Sequence, residues 1–309
     1  MSFRNPLLLL LAAIALGIVL LALATADFSQ FGKGLATAGG AECVGVIRLD
    51  GEISDSGAGQ FFSSESLSDR FAAALAKANG DSSIGSVLLV VNSPGGSAVA
   101  SKEIYDEVAA SKKPVVAYLG EVAASGGYYI ASGSDYIVAN PNTITGSIGA
   151  RATLLNYAEL FSKLGLREDT LKTGELKDIG SGSRNLTDHE RLVIQALINE
   201  SFGNFRADVE AGRKGKLNNK LFLQALDARI MTARQALSTG LVDEIGSRRK
   251  ALGKAAELGK VNVAEGEAPA ECELEEKSGL SAILGELSSG FARGIAQGLS
   301  EPRLSLRYQ

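Results

Sequence analysis

The feature that most limits the fold is an uninterrupted apolar run near residue 90. Residues 84–97, IGSVLLVVNSPGGS, carry no charge, and the run closes with Pro-Gly-Gly. A strand that is apolar on both faces must be covered on both faces, which is typical of the interior of a parallel sheet. Parallel strands need helical crossovers, and the segments before and after this run have helical spacing. The sequence therefore predicts an α/β fold around a mostly parallel sheet.

The same alternation of strand and helix continues along the chain. Further extended runs are CVGVIRLDGEI with a turn at Asp50-Gly51, PVVAYLG and YIVANPNTITGSIGA. The longest helical stretch starts near Thr187, which has the capping-box spacing to Glu190. A later helix is predicted to end at Gly240. Repeated strand–helix–strand units predict right-handed crossovers.

The amino terminus predicts a membrane anchor over residues 1–26. Its segment Pro6–Ala26 holds 21 residues without a charge, enough to cross a bilayer core, and Arg4 is the only charge before it. The rest of the chain would then be translocated. A cleaved signal peptide is the alternative, because ATA precedes Asp27, but the length of the run favours a retained anchor. Residues 27–42 are rich in Gly, Ala and Ser and are interpreted as a linker.

Composition excludes some partners. The net charge is −4, the isoelectric point is near 5.3, and no basic run is present, so nucleic acid is not an expected partner. The two cysteines, Cys43 and Cys272, share no metal-ligand spacing, and we predict neither a metal nor a cofactor. Cys43 opens an apolar run whereas Cys272 stands in an acidic stretch. This difference favours two separate thiols, although a disulfide stays open.

The composition changes after about residue 250. The stretch EGEAPAECELEEK is acidic and lacks periodicity, which predicts disorder. Beyond it, one helical face is apolar, comprising Leu280, Ile283, Leu284, Leu287, Phe291 and Ile295. We interpret residues 251–309 as an acidic linker with an amphipathic segment. Few basic residues accompany the apolar face, so packing on the core or on a neighbouring subunit is favoured over the membrane surface.

One serine has the surroundings of a nucleophile. Ser125 lies in EVAASGGYYIASGSD between small residues, where it is either a nucleophile or a helix N-cap. The only histidine of the sequence, His189, lies in the first turn of a helix between acidic residues and is expected to be solvated. A Ser-His-Asp triad is therefore disfavoured. Tyr128 and Tyr129, which follow the serine, are interpreted as packing residues.

A neutral lysine is the remaining common base for a serine. Such a lysine must have its pKa lowered by roughly 3 units to work near neutral pH, which requires burial away from carboxylates and predicts apolar or small neighbours. Lys177 follows Leu176 and is bracketed by glycine turns, although Asp178 beside it is an unfavourable neighbour. Composition alone does not choose Lys177 over Lys172.

Five motifs together resemble the short form of the signal peptide peptidase A family of serine–lysine proteases. They are VNSPGGS (91–97), AASGGYYIA (123–131), TGSIG (145–149), LKTGELKDIGSGSR (171–184) and TARQALSTGLVDEIG (232–246). The resemblance covers about residues 43–250 and implies a ClpP/crotonase-type spiral of βαβ units for this protease domain. The chain departs from the family at Gly182, where proline is common.

The resemblance also implies roles for individual residues. The nucleophile would be Ser125, the general base Lys177, the lysine-orienting residue Ser147, and the oxyanion-hole amides those of Gly126 with Gly95 or Gly96. Glycine turns let backbone N–H groups approach a developing oxyanion closely.

The family further implies a membrane-anchored endopeptidase that cleaves apolar, membrane-derived peptides such as released signal peptides. It would be a single-pass protein of a bacterial or archaeal membrane with its catalytic domain on the extracytoplasmic side. It would also be a homo-oligomer in which serine and lysine can come from neighbouring subunits.

Two other functions are compatible with parts of the sequence. An acyl-CoA enzyme of the crotonase type would share the spiral and a glycine oxyanion hole, but it needs no serine–lysine pair. A catalytically idle membrane scaffold would use the glycines as turns and Ser125 as an N-cap.

Overall fold

The computed structural model describes residues 41–55, residues 66–274 and the backbone of one short strand near the carboxyl terminus. The strands are β1 (Cys43–Ile53), β2 (Ile84–Ser97), β3 (Val115–Ala124), β4 (Tyr136–Ala139), β5 (Ile144–Gly146), β6 (Ile230–Thr232), β7 (Glu244–Ile245), β8 (Glu271–Glu273) and β9 (Arg307–Tyr308). The helices are α1 (Leu67–Gly80), α2 (Ala98–Ala109), α3 (Gly126–Ser132), α4 (Ala158–Lys163), α5 (Asp188–Gly212), α6 (Asn219–Ala225), α7 (Ala233–Thr239) and α8 (Arg248–Gly259).

The predicted anchor, most of the linker and the amphipathic C-terminal face lie outside the described residues. Within the described part of the chain, no helix is long and apolar enough to cross a membrane.

One sheet contains all of these strands. The main path runs β6-β5-β3-β2-β1-β8, while β4 pairs with β3 and β7, and β9 pairs with β2. The central pairs β1–β2 and β2–β3 are parallel, and only β5–β6 and β2–β9 are antiparallel among the described pairs. The predicted α/β fold with a mostly parallel sheet is confirmed.

Strand β2 is buried on both faces, as its sequence indicates. Leu89 and Val91 pack with residues of α1, α2, α3 and α5 in the larger core. Leu88 and Val90 point to the opposite face, where α8 covers them. Helix α8 spans Arg248–Gly259, so the domain boundary predicted at residue 250 falls inside it. Its many charged residues made the segment resemble a linker, although one face of the helix is apolar and buried.

The predicted helix ends are present. Thr187 and Glu190 form a reciprocal capping box at the start of α5, and Gly240 caps α7 in the left-handed conformation with φ = 83°. Both features depend only on residues within one helical turn. Such local signals can be identified from sequence.

The acidic stretch after α8 is partly ordered, and the prediction of disorder there is wrong for β8. This strand pairs in parallel with β1, and Cys272 forms a disulfide with Cys43. Its acidic side chains are compensated, because Arg248 binds Glu271 at 2.5–2.9 Å. A three-residue edge strand is too short to show a period, which explains why its composition resembled a linker.

Loss of this disulfide is expected to destabilise the domain. The bond joins residues 229 positions apart, so its removal should lower the free energy of unfolding by about 2–5 kcal/mol. Denaturant unfolding of the wild type and of the Cys43→Ser/Cys272→Ser variant, each with and without reductant, measures this. Reductant should lower the wild type to the level of the variant and leave the variant unchanged. Equal stability of all four samples would contradict the prediction.

Candidate active site

Ser125 lies at the end of a central strand, where the chain turns sharply into a helix. It follows β3 directly and precedes α3, with φ = 54° and ψ = −122°. Such a conformation costs a non-glycine residue about 1–3 kcal/mol and is found mainly where the surrounding structure enforces it. The side chain is fully buried, and its Oγ has no hydrogen-bond partner among the described residues. Ser125 makes no capping hydrogen bond to α3, which weighs against the N-cap role.

The Pro-Gly-Gly segment in the last part of β2 lies beside this serine. The strands β2 and β3 are parallel, with Ser93 paired to Ala123, so both chains leave the sheet at the same edge. A Cβ on Gly126 would lie 3.3 Å from the backbone N of Gly96, which places the two glycine backbones side by side. The first amides of a helix have no intrahelical acceptor and can bind an anion.

Of the two glycines considered for the oxyanion hole beside Gly126, the geometry favours Gly96. The N–H of Gly95 already donates to Ser93 Oγ at 3.1 Å. Gly96 pairs with Ile53 of β1, and a Cβ there would lie 2.0 Å from the Ile53 carbonyl oxygen. Only glycine fits this position.

Ser147 is also near the serine. The Ser125 N–H donates to the Gly146 carbonyl at 2.8 Å, and β5 runs parallel to the end of β3. Ser147 is mostly buried, has φ = 53°, and donates its own N–H to the Arg229 carbonyl at 2.9 Å. The structure thus brings together Ser125, Gly126, Gly96 and Ser147.

Lys177 does not join them within one chain. It is exposed in a turn, and its recorded hydrogen bond is from its backbone N–H to the Gly174 carbonyl at 3.2 Å. Because Ser125 Oγ has no partner, it is not hydrogen-bonded to Lys177. We call residues 151–187 the arm; nearly all of them are exposed or half-buried.

Two further interpretations from sequence are confirmed. His189 is exposed in the first turn of α5. Tyr128 and Tyr129 are buried, the first donating its hydroxyl to the Leu241 carbonyl at 2.8 Å and the second stacking on Phe205 at 4.3 Å between ring centroids. Neither histidine nor tyrosine is in place as a base for Ser125.

Sequence reasoning missed two buried serines that shape the site. Ser93 holds the Pro-Gly-Gly turn through the Gly95 N–H, and Ser101 Oγ would be 2.4 Å from a Cβ on Gly126. Ser93 could have been noticed as a polar residue that follows the apolar run of β2. Ser101 lies on α2 and has no local signal. Among the described residues, no group of three or more His, Cys, Asp or Glu side chains could hold a metal ion.

Comparison with known proteins identifies the family. The model of peptidase family S49 matches residues 107–262, which include Ser125, Ser147 and Lys177. The chain is 40% identical to a provisionally named protease of Methanocaldococcus jannaschii, over 70% of this chain and 69% of the relative. The chain belongs to peptidase family S49. It is accordingly a protease of that family, as the resemblance implied.

Other relatives of this S49 protease have more specific names. It is 39% identical to a protein of Enterococcus faecium provisionally named signal peptide peptidase SppA, over 67% of this chain and 60% of that protein. It is 36% identical to Protease 4 of Haemophilus influenzae, over 70% of this chain but only 34% of that protein. A Clp protease model matches residues 61–145, which agrees with the ClpP-type part of the predicted fold, whereas the full spiral stays a prediction.

Proposed function

We propose that this S49 protease is a membrane-anchored serine endopeptidase in which Ser125 is the nucleophile and Lys177 the general base. The observation that carries the proposal is the Ser125 side chain, which is buried and unbonded on a strained turn between glycine backbones. Buried hydroxyls are normally hydrogen-bonded, and an unbonded hydroxyl that also stands on a strained turn is a candidate for chemistry.

The reaction follows from these positions. Ser125 Oγ attacks the peptide carbonyl while its proton passes to the neutral amine of Lys177. The N–H groups of Gly96 and Gly126 bind the oxyanion of the tetrahedral intermediate. The ammonium then donates its proton to the departing amine, which leaves an acyl-enzyme. Water, deprotonated by the same lysine, releases the acid product and frees Ser125; Ser147 would orient the lysine.

A second copy of the chain is proposed to supply Lys177. Helix α4 on the arm has no buried residue, and several leucines of the arm are more than half exposed: Leu155, Leu160, Leu164, Leu166 and Leu171. Monomers seldom expose an apolar surface of this kind unless it binds something. Lys177 lies on the arm, and Ser125 Oγ lacks a hydrogen-bond partner within the part of its own chain that the structure describes. Docking of the arm on a neighbour would therefore complete both sites.

The substrate is proposed to be an extended, apolar, membrane-derived peptide, such as a released signal peptide. Strand β9 of this chain pairs antiparallel with Gly96 and Ser97, which supports peptide binding by strand addition next to Ser125. The disulfide supports an oxidising compartment, in agreement with a catalytic domain on the extracytoplasmic side of a bacterial or archaeal membrane and a single-pass anchor.

Covalent labelling tests the nucleophile. The full-length chain, the Ser125→Ala variant and the Ser134→Ala variant are each treated with a fluorescent phosphonate in detergent. Ser134 is a matched control, because it too is a buried serine whose Oγ has no partner among the described residues. We expect one label per chain in the wild type and in Ser134→Ala, and none in Ser125→Ala. Absence of labelling in a folded, assembled wild type would favour the idle scaffold.

A further inference from the structure

The carboxylate next to Lys177 is held by two cations. Lys172 Nζ lies 2.6 Å from Asp178 Oδ1, and Arg184 contacts both carboxylate oxygens, through Nη2 at 2.7 Å and Nε at 3.1 Å. These hydrogen bonds, first from Arg184 and then from Lys172, hold the pKa of Asp178 well below its usual range. An uncompensated carboxylate beside an amine favours the ammonium, which cannot act as a base.

Arg184 has a second carboxylate on its other side. Its Nη1 lies 2.8 Å from Glu190 Oε2, and its Nη2 also contacts Glu190. Glu190 is buried and belongs to the capping box that starts α5, a helix whose Phe205 and Val209 are fully buried in the core. Hydrogen bonds from Arg184, with the Thr187 N–H, lower the pKa of Glu190 to about 2, so the pair is charged at any assay pH. One guanidinium thereby connects the turn of Lys177 to the packed core.

We propose that Arg184, assisted by Lys172, is a positioning residue for Lys177. Arg184 fixes the Lys177 turn to α5, and the two cations cancel the charge of Asp178 so that the neighbouring amine can be neutral. The proposal rests on the proposed function, because it takes Lys177 as the base. It also removes the objection that Asp178 raised in the sequence.

The charge balance makes the proposal specific. Lys172 and Arg184 face Asp178, Glu190 lies behind Arg184, and Glu175, the other carboxylate of the turn, is exposed. Two positive and two negative groups therefore meet in this cluster. Without Arg184, Asp178 would keep only Lys172, the buried Glu190 would lose the cation that binds it, and the turn would lose its attachment to α5.

The test measures peptide cleavage by the full-length protein between pH ~6 and ~10. Arg184→Ala is expected to lower kcat about tenfold or more with little change in KM. In the pH profile of kcat/KM, its rising limb should move to higher pH by about one unit. Adding Asp178→Asn should return the limb to its wild-type position without restoring kcat. Lys172→Ala should shift the limb upward with a smaller loss of kcat, since the attachment to α5 is kept.

Arg206→Ala is the matched control. Arg206 also forms an ion pair with a glutamate of α5, Glu210, at 2.9 Å. Both of these side chains are more than 40% exposed, and they lie outside the cluster around Asp178. This variant should keep wild-type kcat and pH dependence. Thermal unfolding and oligomer size show whether each variant is folded.

The outcomes separate this inference from the proposed function. If Lys177→Ala is inactive but Arg184→Ala and Lys172→Ala both match the wild type, the positioning role is overturned and the dyad stands. If the limb stays shifted after Asp178→Asn, compensation of Asp178 is overturned. If Lys177→Ala keeps wild-type activity, the proposed function fails first. If Arg184→Ala does not fold, the pH profile of kcat/KM for Lys172→Ala provides the test. A rising limb at the wild-type pH in that variant overturns the proposal.

Discussion

Replacing Lys177 by alanine is expected to lower kcat/KM for peptide cleavage by about four orders of magnitude. Among the described residues, His189 is exposed on α5 and Ser125 Oγ has no hydrogen-bond partner, so we expect no other side chain to accept the proton of Ser125 once the amine is removed. Lys163→Ala is the matched control, because Lys163 is an exposed lysine of the same arm. A fluorogenic peptide with leucine and alanine near the cleaved bond provides the measurement. Wild-type activity in Lys177→Ala would exclude it as the base.

Mixing two inactive proteins tests whether the pair is shared between subunits. Co-expression of Ser125→Ala with Lys177→Ala, carrying different tags, would give mixed oligomers. With random assembly in equal amounts, about one quarter of the sites should combine an intact serine with an intact neighbouring lysine, and about one quarter of the wild-type activity should return. No recovery in mixed oligomers would mean that serine and lysine belong to the same chain.

Gly96→Ala is expected to lower kcat by about 10²–10³-fold, the usual effect of losing one oxyanion donor. The new Cβ would lie 2.0 Å from the carbonyl oxygen and 2.7 Å from the nitrogen of Ile53. Both are backbone atoms of β1, so the turn must move, and the Gly96 amide moves away from Gly126. KM should change less than kcat, since the oxyanion forms only in the transition state.

Gly203→Ala is the control for the glycine substitution. Gly203 lies within α5, and a Cβ there would meet nothing within 4 Å. This variant should keep full activity and gain about 1 kcal/mol of stability, because alanine is the better helix former. Steady-state kinetics and thermal unfolding are measured on both variants. A folded Gly96→Ala protein with wild-type kcat would remove Gly96 from the oxyanion hole.

The parts of this fold that could be predicted depend on residues close to one another in the sequence. The existence of β1 and β2, the capping box at Thr187 and the left-handed cap at Gly240 depend on side-chain patterns within a few residues. The turn predicted at Asp50-Gly51 is instead an irregularity within β1, because pairing with β2 carries the strand on to Ile53. The position of Ser125 at a strand–helix junction was visible for the same reason, because an apolar strand precedes it and a glycine pair follows it.

The misjudged parts depend on partners far away in the chain. The segment of β8 was interpreted as a linker because its order comes from pairing with β1 and from the Cys43–Cys272 bond, neither of which leaves a local pattern. Asp178 counted against Lys177 for a similar reason. Its compensation by Arg184 requires a turn of the arm to meet the start of α5.

The sequence by itself determined the α/β class, the two-faced burial of β2, the family and the candidate serine and lysine, because periodicity and ordered motifs are written in consecutive residues. Only the tertiary structure decided that the Gly95 N–H binds Ser93 Oγ while the Gly96 backbone lies beside Gly126, and that Cys43 meets Cys272. It also decided that Ser125 Oγ makes no hydrogen bond to Lys177 within the described part of the chain. These outcomes are set by register between strands and by packing of distant elements, where a shift of one residue changes which groups meet.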